Sequence, residues 1–152
     1  MIKNEVLKAI YLFSDLTPEE LGKIAKICTS HEMIAGQDVF IRGQKAESFF
    51  VIQQGTVKIV KSTDKGDEIK ISSLATGSHF GEMAFLTGEP RLATAQTTET
   101  SYLIEVPYQG LRTLLNDDVR ISDKFHRALA RFLAQRLQAT TGDLSQAKEA
   151  LL

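Results

Sequence analysis

Residues 80–95 read FGEMAFLTGEPRLATA, and this stretch gathers small residues around one acidic and one basic side chain. Glu82 and Arg91 are nine positions apart, with a short apolar run and a Gly-Glu-Pro turn between them. A glycine at position 81 lets a ligand approach the backbone closely. Because the backbone here is so lightly covered, the pattern favours a ligand-binding loop.

The charges of this stretch indicate what kind of ligand it would take. Gly81 is expected to open a short helix over residues 82–86, whose first turn offers free N–H groups and a positive dipole end. Arg91 is expected to begin a strand, and its guanidinium fork matches two phosphate oxygens. Glu82 would repel a phosphate, so it fits only if it accepts a hydrogen bond from a neighbouring hydroxyl. A ribose 2′-hydroxyl beside a 3′,5′-cyclic phosphate has that relation.

Composition narrows the class of protein. The chain has 152 residues, which suits one domain, and its net charge of −1 gives no general attraction to nucleic acid or to an anionic membrane. The single cysteine, Cys28, excludes an internal disulfide, and its apolar neighbours predict a small buried side chain. The N-terminus lacks a signal-peptide core, and no apolar run approaches the roughly 20 residues of a membrane span. We therefore expect a cytoplasmic protein.

The order of predicted elements is helix, β-barrel, helix, within one domain. Residues 1–29 form a helical segment, in which Thr17, Pro18 and Glu20 mark the start of a helix that runs to about Cys28. Residues 30–106 contain short β-rich runs with turn signals between them, which favours a sandwich or small barrel. The runs are DVFIR (38–42), SFFVIQQ (48–54), TVKIVKST (56–63), EIKISSLA (68–75), ATAQTTE (93–99) and SYLIEV (101–106).

Two details of these strands are predicted from local pattern. Residues 64–67, DKGD, form a hairpin turn, and Ile69 and Ile71 alternate with polar residues as in a half-buried strand. The predicted fold class is mainly β with flanking helices. It is a β-roll or jelly roll (double-stranded β-helix) with N-terminal helices and a long C-terminal helix.

Residues 107–152 are predicted to be helical, with a short helix from Pro107 to Leu115 and a long one from about Val119 towards Leu151. Gly142 interrupts the long helix at a cost of about 1 kcal/mol relative to alanine, and puts its continuation in doubt. Steps of three and four residues form a heptad seam, which predicts a homodimer. The seam comprises Leu137, Thr140, Leu144, Ala147 and Leu151. The basic stripe, defined as Arg120, Lys124, Arg127 and Arg131, is either a solvated face or a docking surface for an acidic partner.

The stretch 80–95 closely resembles the phosphate-binding cassette of the cyclic nucleotide-binding domain family, whose pattern is F-G-E-hydrophobic-A followed by P-R-x-A-T. The resemblance covers nearly the whole chain, and it implies that Glu82 takes the ribose hydroxyl and Arg91 the cyclic phosphate. It further implies cradle N–H groups at Ala84 and Leu92, with Gly81 beside the ribose. AQRLQATTGDL, in the last helix, is similar to the dimer helix of activator members. The candidate ligand-binding residues are Gly81, Glu82, Met83, Ala84, Arg91, Leu92, Ala93, Ile71, Leu74, Thr140 and Thr141.

The roles of the remaining candidates also follow from the resemblance. Ile71 and Leu74 would pack near the base, and Thr140 and Thr141 would meet adenine, one of them from the partner subunit. Many cGMP-selective members have Thr where this chain has Leu92, so the ligand is expected to be cAMP, with cGMP as the second choice. No cofactor, no metal and no catalysis are expected.

Several alternatives stay open at this point. Because the chain stops at Leu152, without room for a DNA-binding domain, it is expected to act on a separate protein effector and not on DNA. It could instead be a ligand-free dimeric scaffold, or a truncated member of the cAMP-responsive transcription regulators. Glu82 and Arg91 could merely form a salt bridge that closes a loop. A metal-dependent cupin would require more histidines than His79 near the cassette.

Overall fold

The structure is a computed structural model, and it describes residues 2–150. The chain begins with α1 (Asn4–Lys8), a 3₁₀ turn (Tyr11–Phe13) and α2 (Pro18–Ile27). The predicted capping box starts α2, because the Glu20 N–H donates to Thr17 Oγ1 at 3.2 Å and the Thr17 N–H donates to Glu20 Oε1 at 2.9 Å.

Eight strands make up the centre of the molecule. The first pairs antiparallel with the last, the second with the second last, and so on inward. Pairs β3–β8 and β4–β7 join them into two four-stranded sheets, β1-β8-β3-β6 and β2-β7-β4-β5. This is the strand order of a jelly roll, so the predicted fold class is confirmed. The strands are β1 (Thr29–Met33), β2 (Asp38–Phe40), β3 (Ser48–Gln54), β4 (Thr56–Ser62), β5 (Glu68–Ala75), β6 (His79–Phe80), β7 (Thr94–Thr97) and β8 (Ser101–Pro107).

The strands differ from the prediction at three places. The sequence does not predict β1, which is polar and mostly exposed, or β6, which has two residues. The prediction that Ile69 and Ile71 are half-buried is wrong, because they are 54% and 56% exposed on the edge strand β5. The hairpin turn at 64–67 is confirmed, since the Thr63 N–H donates to the Asp67 carbonyl at 2.7 Å.

Two helices follow the strands, α4 (Tyr108–Asp117) and α5 (Val119–Ala150). Asp118 caps α5, since its Oδ1 accepts from the N–H groups of Arg120 and Ile121, both at 3.2 Å. The helix continues through Gly142, so the doubt about its continuity is resolved, whereas Leu151 of the seam and the side chain of Ala147 lie outside the described residues. Within residues 2–150, no helix is both long and apolar enough to cross a membrane.

The strand β3 separates two apolar clusters. Phe49 and Val51 face the helices, and they join residues of α2, α4 and α5 in the larger cluster. Phe50 and Ile52 face the other way, into a smaller cluster between the sheets that includes Phe80. Because β3 is buried on both faces, its sequence is an apolar run without alternation. The cassette contacts both clusters, because Phe80 belongs to the smaller one and Ala84 and Phe85 pack against the larger one.

Two of the four residues of the basic stripe pair with acidic groups from the N-terminal part of the chain. Lys124 Nζ lies 2.6 Å from Glu20 Oε1, and Arg131 Nη2 lies 2.7 Å from Asp15 Oδ2. These ion pairs attach the first half of α5 to α2 and to the turn that precedes it. For Lys124 and Arg131 the chain itself thus supplies the acidic groups that could have belonged to a partner.

Candidate functional site

The stretch 80–95 forms a short helix and a loop beside the sheets. Helix α3 spans Met83–Thr87 with Glu82 at its N-cap position, which agrees with the predicted helix to within one residue. Gly88 ends it in the left-handed conformation at φ 72°, which glycine adopts without a Cβ penalty. The prediction that Arg91 begins a strand is wrong, because β7 begins at Thr94. Arg91 lies in the loop, where its backbone pairs with Gly43 and Gln44 instead of a strand ladder.

The Arg91 side chain points inward and is only 7% exposed. Its Nη1 donates to the Gly81 carbonyl at 3.0 Å, and its Nη2 donates to the Ser48 carbonyl. Its guanidinium carbon lies 3.9 Å from the centre of the Phe40 ring. Nε has no hydrogen-bond partner among residues 2–150. Burial lowers the pKa of Arg91 from its usual value, but a guanidinium remains charged in proteins.

Gly81 makes room for this guanidinium. Its φ is +84°, and a Cβ added there would lie 2.8 Å from Arg91 Nη1 and 3.2 Å from a ring carbon of Phe40. Both the conformation and the space therefore require glycine at this position. Gly81 therefore fixes the position of the Arg91 guanidinium in the ligand-free protein, through its carbonyl and through the space left by the missing side chain.

Sequence reasoning missed Tyr108 as a member of this site. Its hydroxyl donates to the Gly81 carbonyl, and the hydroxyl oxygen accepts from Arg91 Nη1 at 3.4 Å. Tyr108 is 2% exposed at the start of α4, and burial raises its pKa from the usual value. A tyrosine after Pro107 gives no local signal of this role, because the contact spans 27 positions of sequence.

Glu82 is 6% exposed, and its carboxylate does not pair with Arg91. Its Oε1 lies 2.6 Å from Nδ1 of His79, which is 4% exposed. The distance is that of an ion pair, but the angle at the ring nitrogen falls outside hydrogen-bond geometry. Among the described residues no ion pair joins Glu82 to Arg91, so the loop-closing salt bridge is not formed.

A chain of polar groups supports Arg91 from behind. Ser48, whose carbonyl accepts from Arg91, donates from its hydroxyl to Glu105 Oε2 at 2.6 Å. The other oxygen of Glu105 lies 2.8 Å from Nε2 of His31. Burial raises the pKa of Glu105, but the hydrogen bonds with Ser48 and His31 outweigh it and hold the pKa below its usual value. The carboxylate is thereby kept anionic within reach of the Arg91 charge.

The other cassette residues present backbone and apolar surface. The N–H groups of Ala84 and Leu92, predicted to form a cradle, have no hydrogen-bond partner among residues 2–150. Met83 and Leu92 are 51% and 71% exposed, and Ala93 is half-buried. The predicted cradle groups are thus available on the same loop as Arg91.

The more distant candidates lie on two other elements. Leu74 packs against the smaller cluster, whereas Ile71 is the additional residue of a β-bulge, because Lys70 pairs with Val60 and Ser72 with Ile59. Thr140 and Thr141 are exposed on α5, and residues 134–146 and 148–150 are exposed as well. Thr140 lies eight residues beyond Phe132, or about 12 Å along the helix. Within one chain the structure does not bring these threonines to the cassette.

Two surface cavities of about 520 and 560 Å³ lie outside residues 80–95. The first is lined by Lys45, Glu105 and Tyr108 among others, and so touches the back of the Arg91 network. The second lies between α2 and the start of α5. In the part of the chain that the structure describes, no group of three His, Cys, Asp or Glu residues could hold a metal ion.

Comparison with known proteins assigns the family. The model of the cyclic nucleotide-binding domain matches residues 31–118, which include the cassette and the strands from β1 onward. The chain therefore belongs to the cyclic nucleotide-binding domain family. The resemblance predicted from the cassette is confirmed.

Named relatives show where this domain occurs. The chain is 35% identical over 88 residues to a cAMP-dependent protein kinase regulatory subunit of Blastocladiella emersonii, covering 58% of this chain and 22% of that protein. It is 25% identical over 142 residues to a CRP-like cAMP-activated global transcriptional regulator of Mycobacterium tuberculosis, covering 93% of this chain and 62% of that protein. The solved catabolite activator protein of Thermus thermophilus matches with a TM-score of 0.79 and 25% identity, over 91% of this chain and 63% of that chain. The chain thus spans less than two thirds of these relatives.

Proposed function

We propose that this protein is a regulatory sensor that binds a cyclic nucleotide, with cAMP as the preferred ligand, and has no catalytic activity of its own. The observation that carries the proposal is that Glu82 and Arg91 are both buried on one loop without pairing with each other. A buried charge is costly unless it is paired or has a function. A ligand that brings both a phosphate and a hydroxyl gives each of them a partner.

Arg91 has hydrogen-bonding capacity to offer a phosphate. A guanidinium has five N–H donors. Arg91 makes three contacts, to Gly81, Tyr108 and Ser48, and Nε is without a partner among the described residues. The remaining N–H groups suit a phosphate that accepts two bonds from one fork. The N–H groups of Ala84 and Leu92 would complete the cradle.

Glu82 would select for the sugar. His79 Nδ1 lies 2.6 Å from Oε1, and Oε2 would take the ribose 2′-hydroxyl. The preference for cAMP rests on Leu92, whose side chain cannot bond guanine. The two relatives compared above, both named for cAMP, support the same choice.

Because Arg91 is buried, ligand binding should require a conformational change of the cassette. With Arg91 only 7% exposed, a phosphate reaches the guanidinium only if the cassette loop or α3 moves. Helix α3 contacts α5 through Phe85 and Phe125, whose ring centres are 5.9 Å apart. We expect ligand to shift the population towards a form in which the cassette tightens and α5 closes over the base, near Ile71 and Leu74.

The exposed second half of α5, from residue 134 onward, would transmit the effect of ligand binding. We propose that this half forms a homodimer and that the dimer geometry changes with ligand. Thr140 or Thr141 of the partner subunit would then reach adenine. The receiver of the signal would be a separate protein effector.

A melting experiment tests ligand binding. Saturation at 100 times the dissociation constant should stabilise the protein by about 2.7 kcal/mol. For a chain of this length that raises the melting temperature by roughly 5–10 °C. The expected result is such a shift with cAMP and a smaller one with cGMP at the same concentration. No shift with either nucleotide up to millimolar concentration would favour the ligand-free dimeric scaffold.

A further inference from the structure

His79 is a buried polar side chain that the proposed ligand contacts do not use. It lies on β6, is 4% exposed, and has Nδ1 2.6 Å from Glu82 Oε1. On its other side the ring packs against Phe132 of α5, with ring centres 4.5 Å apart. The edge of Phe49 approaches it from β3, at 6.5 Å between centres. His79 therefore sits between the cassette carboxylate and the long helix.

Such a histidine is costly unless it has a role. Nε2 has no partner among residues 2–150, and the contact of Nδ1 with Glu82 is short but poorly aligned. A buried polar group without a good hydrogen bond destabilises the fold. An apolar ring at position 79 would pack against Phe49 and Phe132 without that cost. A histidine at position 79 is therefore best explained by an interaction with Glu82, whose Oε1 it contacts.

We propose that His79 is the positioning residue of Glu82, and that it sets how strongly binding depends on the ribose 2′-hydroxyl. Nδ1 would carry a proton, and a small rotation of the carboxylate from the misaligned contact seen here would direct that proton at Oε1 and leave Oε2 for the ligand. Without His79, Glu82 would be free to rotate towards the cation of Arg91. This inference rests on the proposed function.

Among residues 2–150, Nδ1 has no well-aligned acceptor that would compete with Oε1. Arg91 and Tyr108 interact electrostatically with Glu82, and Arg136 lies over the Phe132 ring at 5.1 Å. Both arginines are donors only. The tautomer of a histidine is set by the hydrogen bond that one of its nitrogens makes. Glu82 Oε1, 2.6 Å away, is the acceptor that favours a proton on Nδ1.

The test compares cAMP with 2′-deoxy-cAMP in three proteins by calorimetric titration. His79→Phe keeps an aromatic ring but removes the donor, whereas His79→Asn keeps a donor near the position of Nδ1 but removes the ring. The measured quantity is the ratio of the affinity for cAMP to the affinity for 2′-deoxy-cAMP. In the wild type this ratio should be about 10 to 150, because a hydrogen bond to a charged group contributes that much. His79→Phe should reduce that ratio by about 2- to 12-fold, the range of an ordinary hydrogen bond. His79→Asn should restore most of it.

The outcomes separate this inference from the proposed function. If the wild type binds neither nucleotide, the proposed function fails. If it binds cAMP and His79→Phe keeps the full wild-type ratio, only the positioning role fails. A loss of affinity that is equal for both nucleotides would likewise show that His79 matters only for packing.

A measurement on the wild type covers the case in which the variants do not fold. Nitrogen-15 NMR of the imidazole distinguishes a proton on Nδ1 from one on Nε2. The proposal requires the proton on Nδ1, and it requires this preference to weaken in Glu82→Ala. An Nε2–H tautomer in the wild-type protein would overturn it.

Discussion

Arg91 and Gly81 contact each other so closely that residue 81 has no room for a side chain. Arg91 Nη1 lies 3.0 Å from the Gly81 carbonyl oxygen, and it would lie 2.8 Å from any Cβ on that residue. The glycine and the arginine of the cassette are therefore one structural unit. A change at either residue should affect the other.

Gly81→Ala should destabilise the protein more than the same change at another left-handed glycine. Gly36 is the matched control, because its φ of 81° is similar and a Cβ there meets nothing within 4 Å. Both variants carry the backbone cost of about 1–2 kcal/mol. Gly81→Ala adds overpacking against Arg91 and Phe40, typically about 1–3 kcal/mol. Urea unfolding measures both, and equal losses would contradict the close packing at Gly81.

Leu92→Thr should shift ligand choice towards cGMP. Leu92 is 71% exposed, so the replacement costs little packing, and a threonine hydroxyl can bond guanine. One such bond is worth about 0.5–1.5 kcal/mol, so the ratio of cGMP to cAMP affinity should rise by roughly 2- to 12-fold. Competition between the two nucleotides measures this ratio. Leu92→Val is the control without a hydroxyl. An equal rise of the cGMP-to-cAMP affinity ratio in both variants would show that the threonine hydroxyl does not bond guanine.

Acid should weaken the attachment of α5 to α2. Burial raises the pKa of Glu20, but hydrogen bonds from Lys124 and Thr17 outweigh it and hold the pKa below the usual 4.5. The stabilisation is therefore present above pH 4.5 and is lost as the pH falls through the lower, folded-state pKa. Glu20→Gln should thus cost more stability at pH 7 than at pH 3, as measured by urea unfolding.

The control for that experiment is Glu19→Gln, the exposed neighbouring carboxylate. Its effect on stability should be small at both pH values. If Glu20→Gln cost the same at pH 7 and at pH 3, the ion pair with Lys124 would not contribute to the acid sensitivity of the fold.

The second half of α5 should form the dimer contact. Leu137 and Leu144 are 68% and 56% exposed and stand seven residues apart on one face. Leu137→Glu with Leu144→Glu should convert a dimer into a monomer in sedimentation velocity. Gln138→Glu with Ser145→Glu adds the same charge one position away and should leave the dimer intact. A monomeric wild-type protein at about 100 μM would exclude this interface as a stable contact.

Patterns that are local in sequence predicted most of the fold. The capping box at Thr17, the turn at 64–67 and the long central strand β3 depend on neighbouring residues, and all three are confirmed. Strand β1 escaped prediction because its residues are polar and it is held by its pairing with the distant strand β8. The continuity of α5 through Gly142 also could not be predicted, because about 1 kcal/mol against one residue does not decide a helix of 32 residues.

The candidate site was predictable as a set of residues but not as a geometry. The motif identified Gly81, Glu82 and Arg91 because each type has a distinct chemistry at fixed spacing. It gave no sign that His79 would approach Glu82 or that Tyr108 would bond Gly81, since these partners are set by packing. The same holds for Lys124 and Arg131, whose acidic partners come from α2 and from the turn before it.

The most direct test of the account is the calorimetric titration of the wild type, Arg91→Lys and Arg91→Ala with cAMP. Loss of a charge-assisted hydrogen bond, about 1.5–3 kcal/mol, predicts that Arg91→Ala binds roughly 10- to 150-fold more weakly. Arg91→Lys should be intermediate, because it keeps the charge but loses the fork. Lys61→Ala, an exposed change on β4, serves as the control and should bind as the wild type does. Equal affinity for cAMP in the wild type and in a folded Arg91→Ala would contradict the central claim that Arg91 binds the phosphate.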